Sequence, residues 1–437
     1  MARTVAHSRG GPCNDEAQGP CVPLPHPLPC AMAILTGLSG NELFCLRRKG
    51  LTPGDLVIGN SVISLGLVRS ITAGLKTLLG GEVHGITSLI HEGRKRAYRR
   101  MLKEARERGG VGLTGVSNEL LFHGTNVEFL AIGSCLHRGD ERSEELEFSS
   151  SADGQALYCQ MDCGFRPLQF AFGNVAYSVG LGGGLIGSLR SLARGEVVEF
   201  SRLFNTTRHL ALERLQAEAC AVGANAVVGI KTTILPFVGL QEMVMIGTAS
   251  HHPALPESCG VEPITSDLTN EEMWNLIHQG LMPVQLVLGV SVYSLGLWGG
   301  ITAFLKSFVR GEIRELTSLI YEAREQALKH IESDARRCDA DQVVGIKTYV
   351  YNLGGGIIEF LAIGTAVKAM PGVHTLSDQL LPQAIIRDQD TFINTAETST
   401  GVTLNSPVNA NGILVAVASL MFTVIWFVYL IAFALHR

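Results

Sequence analysis

Hydrophobic and polar positions follow one plan along this chain, and the plan is used three times. β-rich stretches run from Leu56 to Leu65, Leu168 to Val179 and Leu286 to Leu295, each closed by a glycine (Gly66, Gly180, Gly296) and a short apolar segment such as Leu67 to Leu79. A Gly-Glu pair follows, at Gly81-Glu82, Gly195-Glu196 and Gly311-Glu312, ahead of long helical runs at Thr87 to Arg108, Ser201 to Ala219 and Thr317 to Arg337. In the second run Phe204, Ala211, Leu215 and Ala219 form an apolar stripe at helical spacing. Turn residues then lead into a second strand (Val111 to Leu121, Ala226 to Leu235, Gln342 to Tyr351) and a last one (Val127 to Cys135, Glu242 to Ala249, Ile358 to Val367). A short helix precedes each set. Ser39 with Glu42 and Thr269 with Glu272 read as capping boxes, and Asp153 as a plain cap; Gly50, Gly164 and Gly280 end these helices. The unit is therefore helix, strand, short helix, long helix, strand, strand.

Laying Glu82 on Glu196 and Glu312 keeps the copies in step over most of their length, the mark of one module repeated in tandem. The modules are placed at 39–137, 153–251 and 269–368. Residues 1–38, rich in Gly and Pro at their start, read as a disordered segment, and His137 to Ser151 and His251 to Ser266 read as polar linkers. Residues 369–411, rich in Ser, Thr, Asn and Pro, read as a flexible stalk.

Composition adds a membrane. The chain is 46% hydrophobic and 17% charged, apolar for a soluble protein. Part of that excess lies in 412–435, which carries no charge and is long enough to cross a hydrocarbon core as one C-terminal transmembrane helix. Nothing at the N-terminus resembles a signal peptide, so the modules are expected in the cytoplasm, where the ten scattered cysteines would remain thiols. A net charge of −5 argues against nucleic acid as a partner. The basic run from Arg94 to Arg108 is not reproduced in the other copies and reads as a solvated helix face.

Four polar positions survive in all three copies: the Gly-Glu acid (Glu82, Glu196, Glu312), an arginine (Arg94, Arg208, Arg324), an acid near the helix end (Glu104, Glu218, Asp334) and a strand acid (Glu128, Glu242, Glu359). Arg208 falls within the apolar stripe, so it needs a buried acceptor. The strand acid supplies one, which predicts structural ion pairs Arg94–Glu128, Arg208–Glu242 and Arg324–Glu359, within a module or across a module interface. The Gly-Glu acids read as helix-start acids, placed where negative charge is favoured. No histidine, serine or cysteine recurs beside these groups, so no catalytic set is expected; an enzyme would need a pocket at the module junctions that gathers the repeated acids. For a metal, Cys159 and Cys163 are spaced to face one ion from a helix. Cys45 aligns with Cys159, but Asn275 takes that place in the third copy, and neither His251-His252 nor the pair His84 and His91 recurs.

The Gly-Glu turn, the long helix and the runs Gly223 to Ile230 and Asp339 to Ile346, with the ending Gly364-Thr-Ala-Val367, resemble the YbjQ family. The resemblance covers about four-fifths of each module. It implies an α+β fold in a dodecin-like arrangement, an antiparallel sheet packed on a long helix. It also implies closed rings for single-module members, hence a homo-oligomer here, and carries the family's heavy-metal-binding label. The shared residues contain no cysteine or histidine ligand set. The reading is thus a membrane-anchored, non-enzymatic oligomeric binding or scaffold protein without a cofactor, the alternative being a heavy-metal-binding or metal-handling membrane protein.

Overall fold

A computed structural model of the chain describes residues 33–64, 66, 81–123, 126–139, 142–178, 195–237, 240–294, 314–354 and 357–386. The 412–435 segment, the short apolar segments after the first strands, and Glu312 lie outside these residues. Among the described residues no helix is long and apolar enough to cross a membrane.

The first module runs α1 (Gly40–Arg48), β1 (Thr52–Ser64), β2 (Gly81–Glu82), α2 (His84–Glu107), β3 (Gly112–His123) and β4 (Asn126–His137). The second is reached through β5 (Phe148–Ser149) and runs α3 (Gly154–Asp162), β6 (Arg166–Ser178), β7 (Gly195–Glu196), α4 (Val198–Cys220), β8 (Ala226–Phe237) and β9 (Leu240–His251). The third follows β10 (Ile264–Thr265) and runs α5 (Asn270–His278), β11 (Leu281–Ser294), α6 (Arg314–Arg337), β12 (Gln342–Gly354) and β13 (Ile357–Ala369), before a last turn of helix, α7 (Pro382–Ile385). Both capping boxes form, and Asp153 accepts from the Ala156 N–H.

In each module the last strand lies between the other two, antiparallel to both: β1-β4-β3, β6-β9-β8 and β11-β13-β12. The long helix packs across one sheet face so closely that Gly59, Gly173 and Gly289 are obligatory. A Cβ at these positions would collide with the backbone carbonyls of Ala97, Ala211 and Ala327. The second strand carries the same irregularity in each copy, at Gly115, Gly229 and Gly345, all with φ near +64°, where a bulge turns the strand.

The modules are not beads on linkers. β5 and β10 lie within the two predicted linkers, and each adds in parallel to the second strand of the module before it. Beside them Ser150 and Ser151 bond Thr248, while Ser266 and Asp267 bond Thr365, so each linker ties one module to the next. The flexible stalk is corrected likewise for its first part. Met370 donates to the Gly280 carbonyl, Leu376 to that of Asp162, and Gln155 Nε2 donates to the Ile386 carbonyl. Buried Asp162 gathers this corner, accepting from Lys49 (2.6 Å), Trp274 (2.8 Å) and Ser377 (2.9 Å). Burial opposes its charge, but these bonds prevail and hold the carboxyl below its usual range.

Candidate functional site: the junctions between modules

The repeated polar residues converge on the contacts between successive modules. Arg94, on α2 of the first module, reaches Glu242 on β9 of the second, with Nη2 to Oε2 at 2.8 Å and Nε to Oε1 at 3.2 Å. Its Nη1 donates to the carbonyl and side-chain oxygens of Asn118. Arg208, on α4, makes the same step to Glu359 on β13 of the third module, at 2.7 and 3.0 Å from one nitrogen, and stands 4.5 Å over the Tyr177 ring. All four charged side chains are fully buried. Burial opposes the Arg208 charge, yet Glu359 beside it outweighs that and holds its pKa above the usual arginine range.

The same-module partners expected from the alternation pattern are thus corrected. Arg94 does not meet Glu128, nor Arg208 Glu242. Glu128 lies at the surface, accepting from Asn60 Nδ2 at 3.0 Å and standing 2.7 Å from His123 Nε2. Arg324 is exposed and, among the described residues, has no ion-pair partner, Glu359 being taken by Arg208. Helical spacing placed the arginine, and strand alternation the acid, on inward faces, but neither could say which module each face meets.

The Gly-Glu element is corrected too. Gly81 and Glu82 pair as a short strand with Ser178 and Tyr177 of the next module, as Gly195 and Glu196 do with Ser294 and Tyr293. The helix N-caps are Val83 and Val197, without side-chain capping. Glu82 instead meets Arg214 of the second module at 2.8 Å. Two of the helix-end acids also join modules: Glu218 takes Lys95 at 2.8 Å, and Asp334 takes His209 at 3.2 Å. Burial alone would favour neutral His209, but the Asp334 bond prevails and raises its pKa.

Apolar packing follows the same path. Phe170, Phe172, Ala176, Phe237 and Leu240 of the second module share one core with Ile86, Ile90 and Tyr98 of α2. Leu288, Val292 and Leu361 of the third share another with Phe204 and Leu215 of α4. Each of these two helices is therefore held between its own sheet and the next.

A cleft of about 710 Å³ opens at the first junction and gathers two repeated acids, Glu82 and Glu218, with His84 and His91. His84 lies 3.2 Å from Glu82, and His91 lies 3.5 Å from Glu218 and 3.2 Å from Asn174. This is the pocket an enzyme would need, but its chemistry is not repeated. Val198 and Asn205 replace the two histidines in the second copy, and the cleft at that junction has a different lining, including Gln216, Cys259 and Pro263.

The cysteine pair is packed into the core. Cys159 lies on α3 and Cys163 caps its end, both fully buried against Phe165, Met273 and Trp274. Burial pushes both thiols up, and Cys45 to about 11, whereas a soft ion takes the thiolate. His252 is engaged with the Cys163 carbonyl and the Ala254 N–H. Among the described residues no three His, Cys, Asp or Glu side chains are grouped to hold a metal ion.

Comparison with known proteins agrees with the triplication. The YbjQ family model, described as "Putative heavy-metal-binding", matches residues 52–133, 166–252 and 281–370, beginning each time after the opening helix. An encapsulin nanocompartment protein of Mycobacterium tuberculosis is 28% identical over 241 residues, 53% of this chain and 90% of that protein. A UPF0145 protein of Methanococcus maripaludis is 40% identical over 83 residues, 19% of this chain and 74% of its own. One from Acinetobacter baylyi is 30% identical over 105 residues, 24% of this chain and 97% of its own. The chain belongs to the YbjQ (UPF0145) family, with three family modules in one polypeptide.

Proposed function

We propose that this protein is a membrane-anchored, non-enzymatic scaffold that works as an oligomer. The observation that carries the reading is where the repeated polar residues go. Arg94, Arg208, Glu242 and Glu359 are consumed in module–module pairs, and Glu82, Glu218 and Asp334 support the same junctions. What the repeat preserves in these described pairs is a way to join copies, and the histidines beside the acids at the first junction are not repeated. The name of the mycobacterial relative, an encapsulin nanocompartment protein, favours a multi-copy assembly. The uncharged 412–435 segment supplies the anchor, and a closed set of chains would gather several anchors on one membrane patch.

The competing reading is heavy-metal binding, which the family description favours. Zinc and cadmium titration of the detergent-solubilised full-length chain, with and without Cys159→Ser and Cys163→Ser, separates the two. The scaffold reading expects no stoichiometric tight site. Tight one-to-one binding lost in the cysteine variant would overturn it.

A further inference from the structure

The contact that joins the modules is used twice and leaves one half of itself at each end. At both junctions an arginine from the earlier module enters a carboxylate of the later one: Arg94 to Glu242, then Arg208 to Glu359. Such a head-to-tail contact leaves an unmatched half at each end until further copies continue it or close it into a ring. What remains, among the described residues, is an acid without an arginine in the first module, Glu128, and an arginine without an acid in the third, Arg324.

The apolar surface tells the same story independently. Val62, Ala176 and Val292 are the cross-strand partners of Glu128, Glu242 and Glu359, so they occupy one structural position. Ala176 and Val292 are fully buried under the preceding helix, whereas Val62 is 57% exposed. Ile58 is 48% exposed where Phe172 and Leu288 are at most 1%. At the other end Tyr321, one turn before Arg324 on α6, is 63% exposed where His91 and Asn205 are partly covered. The strand edges agree, since β6 and β11 are each flanked by a Gly-Glu strand from the module before, while β1 has no such neighbour among the described residues.

We infer that the occupant of both ends is a second copy of this chain. The Arg324 face of α6 in one copy seats on the β1–β4 face of the first module in the next, forming an Arg324–Glu128 pair between chains. This rests on the scaffold reading and names its interaction surface. One position departs from the pattern. Glu325 stands where Lys95 and His209 meet Glu218 and Asp334, and between copies it would face Glu104. Glu104 is already bound by Arg108 at 2.6 Å and by the Ile58 N–H at 2.8 Å. The contact between copies therefore lacks the second ion pair and is the weakest in the series, open to dilution and salt.

The test is the mass of the detergent-solubilised full-length chain by light scattering, for wild type, Arg324→Glu, Glu128→Arg and an equimolar mixture of the two variants. The expected result is a wild-type assembly larger than one chain, and association at least about tenfold weaker in each variant from charge reversal at the contact. Recovery is expected in the mixture, where the reversed charges face one another. That recovery also shows that both variants fold. Variants that keep the wild-type mass, or a mixture that does not recover, would overturn the assigned surface while leaving the scaffold reading standing, because association through the anchor survives both reversals. A wild type of one-chain mass would overturn both.

Discussion

The buried Arg208–Glu359 pair is the sharpest place to test how the modules are joined. Both side chains are fully buried, and their closest atoms stand 2.7 Å apart. Two unit charges about 4 Å apart interact by about 4 kcal/mol at an effective dielectric near 20. Removing one partner strands the other charge in the core, a loss on the order of 3–5 kcal/mol. Glu359→Leu should therefore cost about that much, and Arg208→Met a similar amount. Replacing both, as Arg208→Met with Glu359→Leu, removes the charges together and should sit within about 1–2 kcal/mol of wild type, since well-packed apolar groups often substitute for such pairs. The assay is urea unfolding of the four members of the cycle, followed by far-UV circular dichroism. A coupling of at least about 3 kcal/mol is expected. The same cycle between Arg208 and Glu242, which share no partner, should show coupling below about 0.5 kcal/mol. A large coupling to Glu242 and a small one to Glu359 would refute the exchange of partners between modules.

Three further outcomes follow. Gly173→Ala should cost about 3 kcal/mol or more in urea unfolding, because its Cβ meets the Ala211 carbonyl and the backbone of Leu215 rather than a movable side chain. His209 is held above its usual pKa by Asp334, with Arg337 opposing, so its contribution is complete below the unfolded-state value near about 6.5 and is lost as pH rises through the raised folded value. The midpoint difference between wild type and His209→Gln should accordingly be largest at acid pH, below about 6.5, and shrink as pH rises through the raised folded value; a constant difference would refute the charged pair. In native protein, site-resolved alkylation should, among the described cysteines, reach Cys220, Cys259 and Cys338 first and leave Cys159 and Cys163 unmodified until unfolding, because burial holds both thiols protonated.

Period and end signals made the elements legible. Ser39 with Glu42 and Thr269 with Glu272 cap the helices they were read to cap, and the three strands per module lie where alternation put them. Arg208 in an apolar stripe announced a buried acceptor. What the chain could not announce is that the sheet beyond that helix belongs to the following module, because alternation fixes a face and not its neighbour. One further signal stands in the sequence. Gly59, Gly173 and Gly289 recur in step and mark the close approach of strand to helix. Asp162 could not be found in this way, since Lys49, Trp274 and Ser377 meet it only through the fold.

The separation of the paired charges along the chain has a bearing on synthesis. Arg94 waits for an acid 148 residues further on, and Arg208 for one 151 residues further on. At roughly 5–20 residues per second, a ribosome takes roughly 7–30 s to span that distance. During that interval the first module has emerged with a charged group on the apolar face of its helix and nothing to receive it. Each of the first two modules is thus born incomplete, its last folding step supplied by the one translated after it. Chaperone capture and proteolysis should act in those intervals, on the helix face that lacks its sheet.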